Sequence, residues 1–477
     1  MFTSRLRRTI AGGLAVLAVT AFLSAAAAVP PATAAGPRTT VSLTFDDADA
    51  SQLTALPILQ RYGMKATFFV PSGFVGAAGY MTRSDLGNLK AAGHEIGGHT
   101  VNHPDLATLP ADEAKRQICT DRSTLTSWGF SVRSFAYPFA SASSAVEKAA
   151  SDCGYRSARL LGDLRTRFDC QDCAVAETLP PADRFGTKAL PQFESNWTLD
   201  DLKQGVLNAE TTGGWVQYTF HDVCDNACTD IAISPALLDQ FLSWLKQHMA
   251  TANAVVKTVG DAVGGTAKPV VNGPVVPPAA AGVNAIKNPG LETLTAGAPS
   301  CWMQGGWGQN SASFSTGSPA HGGSVASRIT MSNYVSGDAK LLPQFDLGAC
   351  APTVVPGHTY SLRSWYTSTG VTQFAVYLRA STGVWQYWTS SPWFSAASTY
   401  TQAVWTTPAI PTGYTGISFA LNVFANGTLQ TDDVSMYDSV GAPAATSAQT
   451  AVPGANSRMA VQAPTTAPEV TKDLEGE

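Results

Sequence analysis

"TTVSLTFDDADASQLTALPILQRYGMKATFFV", residues 39–70, contains a strand, a helix and a second strand in succession. Thr39–Asp47 is β-rich and ends in adjacent carboxylates, Asp46 and Asp47. Residues 50–63 repeat their apolar side chains at helical spacing, and Lys65–Val70 returns to a strand pattern. Strand–helix–strand of this length reads as a parallel βα unit, and the units continue outward from it. "TRSDLGNLKAAG" (82–93) opens on a cap signal and stops at Gly93, and "HEIGGH" (94–99) is a short strand. Helical stretches follow at 112–129 and 144–154. Strands follow at 134–139 and 214–221, and a long amphipathic helix at 234–250. In a parallel β/α fold the polar residues just past the strand ends mark the active edge.

At that edge "GHEIGGHTVNHPDL" (93–106) holds His94, His99 and His103, three of the chain's seven histidines. His99 and His103 lie four apart, which on a helical turn puts both rings on one side. "HTVNH" lacks the glutamate of the zinc-protease signature, since Thr100 stands in its place. A third ligand is most simply a carboxylate from another strand end, and "TFDD" (44–47) offers two. Two histidines and one carboxylate leave a coordination position open for water or substrate, the hydrolytic arrangement. His94 reads as a structural histidine and Glu95 as a solvated or capping residue.

The whole chain bounds these readings. Its 477 residues imply more than one domain, and a formal charge of −5 gives no basic footprint for nucleic acid. Residues 1–35 read as a signal peptide: Arg5, Arg7 and Arg8, an Ala-rich apolar run, then small residues near Ala34 and Ala35. An uncleaved membrane anchor is the alternative. With cleavage the protein is secreted and extracellular, and free of the membrane. Eight cysteines fit disulfides outside the cell, with Cys119–Cys153 as one expected pair. Cys170, Cys173, Cys224 and Cys228 could instead make a four-thiolate zinc site.

Residues 36–264 form the expected catalytic domain and 265–285, rich in Pro, Ala and Val, a semi-extended linker. Residues 286–439 switch to short alternating strands such as "GISFALNVFA" (416–425), which suggests a β-sandwich. Residues 440–477 have little to bury and read as a disordered tail. Trp385, Tyr387 and Trp393 in "GVWQYWTSSPW" (383–393) lie near turn residues and are candidates for stacking on sugar.

"TFDD", "ATFFV", "HEIGGHTVNH" and "TFHD", in that order, resemble the NodB-homology domain of polysaccharide deacetylases, the fourth carbohydrate esterase family. The resemblance covers about residues 38–264. It implies a distorted (β/α) barrel that binds a divalent metal, usually zinc, and removes acetyl groups from sugars. Asp46 would be the general base, Asp47, His99 and His103 the metal ligands, and His221 the general acid. "FAYPF" (135–139) would be the third motif, with the Phe139 backbone N–H as an oxyanion donor. Tyr137 and Trp215 are expected to line the substrate groove.

Three departures stand out. The arginine that opens the third motif is replaced by Ala136, with Arg133, Arg156 and Arg159 as possible substitutes. The fourth-motif Asp/Trp pair has no clear match, Trp197 and Trp215 being candidates. The fifth motif carries Thr219 where leucine is common. The sandwich resembles jelly-roll carbohydrate-binding modules, in which Glu292 and Asp433 could hold a structural calcium.

The expected function is a secreted, zinc-dependent deacetylase acting on N-acetylglucosamine polymers as a monomer. An acetylxylan O-deacetylase and an inactive carbohydrate-binding protein are the alternatives.

Overall fold

The computed structural model describes residues 38–225 and 228–445. The expected signal peptide and most of the expected tail therefore lie outside the described residues.

Strand β1 (Thr39–Phe45) lies inside a parallel sheet. It is followed by helix α1 (Ala55–Tyr62), β2 (Thr67–Val70), α2 (Arg83–Ala91) and β3 (Glu95–Gly98). Next come α3 (Ala111–Ser127), β4 (Ser134–Ala136), α4 (Ser144–Asp152), β5 (Ser157–Arg159) and α5 (Leu199–Glu210). The unit ends with β6 (Gly214–Phe220), α6 (Pro235–Met249), β7 (Ala254–Val256) and α7 (Val259–Val263).

The chain marks its own helix ends. Thr82 caps α2 and Thr198 caps α5, each in a reciprocal box with an aspartate three residues on, and Ser234 precedes Pro235 at the start of α6. Gly63 ends α1 at a φ of 65°, which favours glycine.

The sheet order is β5-β4-β3-β2-β1-β6. One edge of β1 is shared: β2 pairs with Thr44 and Phe45, while β7 pairs with Thr39–Val41. Between β5 and β6 the barrel is closed by irregular chain. Thr187 bridges Arg159, Gln192 bridges Thr219, and Leu190 and Phe193 donate to the β6 carbonyls of Gln217 and Thr219. The fold is thus a distorted (β/α) barrel.

Val41, Leu43 and Phe45 belong to the main apolar core. The alternate residues Ser42 and Thr44 engage Trp215 and Tyr218 of β6 through their hydroxyls. Phe69, Ala136 and Trp215 form a smaller cluster with Val259 and Val263 of α7. All eight cysteines are paired: Cys119–Cys153, Cys170–Cys173, Cys224–Cys228 and Cys301–Cys350. The four-thiolate zinc alternative is therefore discarded, because those sulfurs are bonded in pairs close in sequence. Among the described residues no helix is long and apolar enough to cross a membrane.

The second unit is all-β. A short ribbon, β8 (Leu294–Thr295) and β9 (Ala298–Pro299), precedes β10 (Trp302–Trp307), β11 (Ser311–Gly317), β12 (Ala326–Ser332) and β13 (Asp338–Pro343). Then follow β14 (Tyr360–Ser368), β15 (Phe374–Ala380), β16 (Trp385–Ser390), β17 (Ala397–Thr406), β18 (Tyr414–Val423) and β19 (Gly427–Asp438). They form two five-stranded antiparallel sheets, β10-β13-β18-β15-β16 and β11-β12-β19-β14-β17, around one apolar core. Residues 265–285 contain no regular structure apart from a turn. They are nonetheless held down: the carbonyls of Lys268 and Pro269 accept from Arg122, and that of Thr266 from Arg156.

Candidate metal centre

Asp46 and Asp47 follow β1 directly, and the Asp46 N–H donates to Phe220 O across to β6. The chain then turns through two left-handed residues, Asp47 at φ 73° and Ala48 at φ 59°. This strained turn aims Asp47 at the end of β3, where His99 and His103 arrive. Asp47 Oδ1 is 3.4 Å from His99 Nε2 and 3.2 Å from His103 Nε2, and the two ring nitrogens are 3.2 Å apart. Among the described residues this is the one group of three such side chains that converges closely enough for an ion.

The donors fit a divalent cation. Three ligands at about 2.0–2.2 Å in tetrahedral geometry are separated by roughly the edges seen here. His99 Nδ1 lies 2.7 Å from Ala136 O, a pure acceptor, so Nδ1 carries the proton and the Nε2 lone pair is free to ligate. Asp47 Oδ1 is buried with no hydrogen-bond partner.

The electrostatics agree. Burial opposes ionisation of Asp47, yet the imidazoles of His103, His99 and His221 outweigh it and hold the carboxyl well below its usual range. Burial lowers His103 to about 4, against the attraction of Asp47. Burial also works against the charged form of His99, but Asp47 and Asp46 prevail and raise it.

Asp46 does not join the trio. Its Oδ2 is paired with Arg159 Nη2, and both side chains are buried. Arg159 comes from β5 and fills the place left by Ala136 on β4. Arg156 and Arg133 turn elsewhere, to Thr266 and to Asp261. Arg159 Nη1 also donates to Thr219 Oγ1 at 2.8 Å. The two departures in the third and fifth motifs are thus one arrangement, because an arginine entering from β5 meets the β6 position where a hydroxyl can receive it.

His221 follows β6, with Nε2 at 3.9 Å from Asp47 Oδ2 and Nδ1 buried without a hydrogen-bond partner. Neither fourth-motif candidate orients it. Trp197 stacks on Phe168, and Trp215 pairs with Thr40 near the opposite end of the barrel and donates to Ser42. Phe139 sits at φ 55° with its ring 48% exposed, edge-on to His103 at 4.7 Å between centroids.

Several expected substrate contacts are corrected by burial. Tyr137 is in the core and donates to Phe185 O, so it offers no face to a sugar. Trp215 is fully enclosed. Trp385 is buried against Phe345, which stacks on it at 4.8 Å. Tyr387 and Trp393 are half-buried, against Tyr377 and Phe424. The exposed ring beside the site is Phe139, noted in the sequence only for its backbone N–H.

His94 is structural: Nδ1 accepts from Ala66 N–H, and burial lowers it to about 4. Glu95 is buried rather than solvated, and accepts from Thr67, Ser134 and the Gly260 N–H in the first turn of α7. Glu292 and Asp433, the calcium candidates, are engaged by the N–H groups of Ser324 and Val325 and by His321.

A buried carboxylate missed by sequence reasoning, Asp121 on α3, accepts from the N–H groups of His99 and Ser72 and from Tyr155. Nothing local in its helical stretch marked it.

Residues 33–158 match the family model described as polysaccharide deacetylase. The match takes in Asp46, Asp47, His99 and His103 and stops one residue short of Arg159. A chitin deacetylase of Pestalotiopsis is 39% identical over 89 residues, 18% of this chain and 30% of that protein. The peptidoglycan-N-acetylglucosamine deacetylase PgdA of Listeria monocytogenes is 32% identical over 99 residues, 20% of each. The chain therefore spans less than a third of the length of these curated relatives. A solved family 4 acetyl xylan esterase from Clostridium thermocellum, in complex with cobalt, aligns at 19% identity and a TM-score of 0.33. That alignment covers 47% of this chain and 89% of the other.

Proposed function

We propose that the chain is a secreted, metal-dependent polysaccharide deacetylase that hydrolyses acetyl groups on N-acetylglucosamine-containing polymers of the chitin or peptidoglycan type. The observation that carries this reading is the meeting of Asp47, His99 and His103 beside an Asp46 that is kept out of the ligand set. The relatives named chitin deacetylase and peptidoglycan-N-acetylglucosamine deacetylase support the substrate class. The four disulfides support an oxidising, extracellular setting.

Asp47, His99 and His103 would hold the cation, most simply zinc, which supplies polarisation of an acyl carbonyl and a water of lowered pKa. Asp46 accepts a proton from the attacking water, and the buried Arg159 guanidinium keeps its carboxylate aimed during that transfer. The Phe139 N–H, in its left-handed turn, is the donor for the developing oxyanion. His221, on the same side of Asp47, protonates the leaving amine as the C–N bond breaks. The open ring of Phe139 offers a sugar an apolar face.

The test is acetate release by the purified protein from chitin oligomers, peptidoglycan, poly-N-acetylglucosamine and acetylxylan. Release from an amide-linked substrate, cut about 10²–10⁴-fold by Asp46→Asn, is the expected result. Release from acetylxylan alone would make it an O-deacetylase. Release from none, with metal bound, would leave a carbohydrate-binding barrel.

A further inference from the structure

The two ligand imidazoles flank three residues, Thr100, Val101 and Asn102, whose backbone is strained at Thr100 (φ 70°) and again at His103 (φ 53°). Such a loop holds its shape only if something outside it over-determines the conformation. Two of its N–H groups, those of Val101 and Asn102, donate to a single atom, Gln117 Oε1 on α3, at 3.2 and 3.1 Å. Gln117 Nε2 is in turn 3.4 Å from Glu113 Oε1, one helical turn earlier. Glu113 is 1% exposed, and its other oxygen pairs with Arg116.

The remaining contact of Glu113 Oε1 is not with the barrel. It accepts the backbone N–H of Leu347 at 2.7 Å, from the all-β domain. Val101 is fully buried, and a Cβ on Gly383, in the turn between β15 and β16, would lie 2.7 Å from Val101 Cγ1 and 3.0 Å from Leu347 Cδ2. No side chain fits between that turn and the ligand loop. Asn102 Nδ2 reaches Phe345 O at 3.5 Å.

The sandwich side is stiff where it touches. Asp346 binds the N–H groups of Gly348, Cys350 and Ala351, Arg379 holds Asp346 O, Cys350 is tied to Cys301, and Phe345 stacks on buried Trp385. The linker adds to the seam: a Cβ on Gly273 would meet Arg116 Cα at 2.9 Å, and one on Gly348 would meet Val276 at 2.7 Å.

We propose that the all-β domain is part of the metal site's scaffold: docked through Leu347 on Glu113 and Gly383 on Val101, it holds the His99–His103 loop in its ligating shape. Leu347, Glu113 and Gln117 are positioning residues; none touches the reacting atoms. This inference rests on the reading of Asp47, His99 and His103 as metal ligands. Supporting contacts behind a metal ligand typically change affinity 10–100-fold when removed.

Zinc affinity of the full chain, measured by competition with a chromophoric chelator, tests it. Leu347→Asp puts a carboxylate into the apolar seam where Leu347 and Val101 meet Gly383, and Glu113→Ala removes the shared acceptor from the barrel side. Val440→Asp, at a site 75% exposed, is the control. Circular dichroism establishes that each variant is folded, and should one of the pair fail to fold, the other carries the test. The expected result is zinc binding weakened 10–100-fold in both variants and unchanged in the control, with faster amide exchange across residues 99–103. Folded variants that bind zinc within twofold of wild type would overturn the proposal. A wild-type chain that binds no zinc would instead overturn the metal reading, and this inference with it.

Discussion

Arg159 illustrates how one side chain can reach a carboxylate at the end of β1 from a distant strand. It is 1% exposed, pairs with Asp46 and is received by Thr219. Removing it leaves a buried carboxylate without its paired cation and without the contact that aims it. Arg159→Ala is therefore expected to lower kcat by about 10²-fold or more, leaving zinc affinity within a few-fold. Rate and metal titrations on the same preparation would check both halves.

The candidate site residues were legible because each lies in a short string at a strand end, Asp46 and Asp47 in one, His99 and His103 in another. Arg159 was legible only as one of three candidates, since its partner is 113 residues away and β5 has three residues. Three of the expected sugar contacts, Tyr137, Trp215 and Trp385, are buried, which their nearness to motifs and turns did not reveal. Strand direction already argues against Trp215: six residues before His221 at about 3.3 Å each puts it some 20 Å from the acid.

A second residue-scale prediction concerns acid stability. His94 has a folded value of about 4 against an ordinary 6.5, so below pH 6.5 the unfolded chain takes up a proton that the folded one refuses. Its contribution is complete above pH 6.5 and falls away as pH drops toward 4. Melting temperatures of wild type and His94→Asn should converge or cross as pH falls from 7 to 4.5.

At the scale of elements, β3 is the hinge of the site. "EIGG" reads as a strand with two glycines, and packing explains both. A Cβ on Gly97 would strike the Phe69 ring at 2.6 Å, and one on Gly98 would collide with Tyr155 Oη and lie 2.5 Å from Asp121 Oδ2. The strand needs this closeness because Asp121 must reach the His99 N–H. Gly98→Ala is expected to cost about 2 kcal/mol and to impair metal binding as well, since Asp121 must retreat. Denaturant titration and zinc affinity would register the two effects. The strand–helix alternation was legible from periodicity and caps. The closing stretch 187–193 was not, because it bridges β5 and β6 by isolated pairs rather than by a strand with a period of its own.

At the scale of the molecule, the composition shift after residue 285 marked a second fold, and the two antiparallel sheets are there. The linker's texture suggested a semi-extended coil, and its carbonyls are bound to Arg122 and Arg156 of the barrel. Such pairing between a coil and distant arginines leaves no trace in local composition. Trp385, picked out as a sugar platform, supports the loop that meets the barrel instead. A barrel whose ligand loop is buttressed by its neighbour should melt together with that neighbour. Calorimetry is expected to give one transition for the wild-type chain and two for Leu347→Asp.

The most direct measurement is acetate release from chitin oligomers by chelated protein as zinc is added back, for wild type and His99→Ala. Activity is expected to rise to a plateau at one equivalent in wild type and to stay near zero in the variant. Release that ignores the chelator, or that survives in His99→Ala, would contradict the metal-dependent reading.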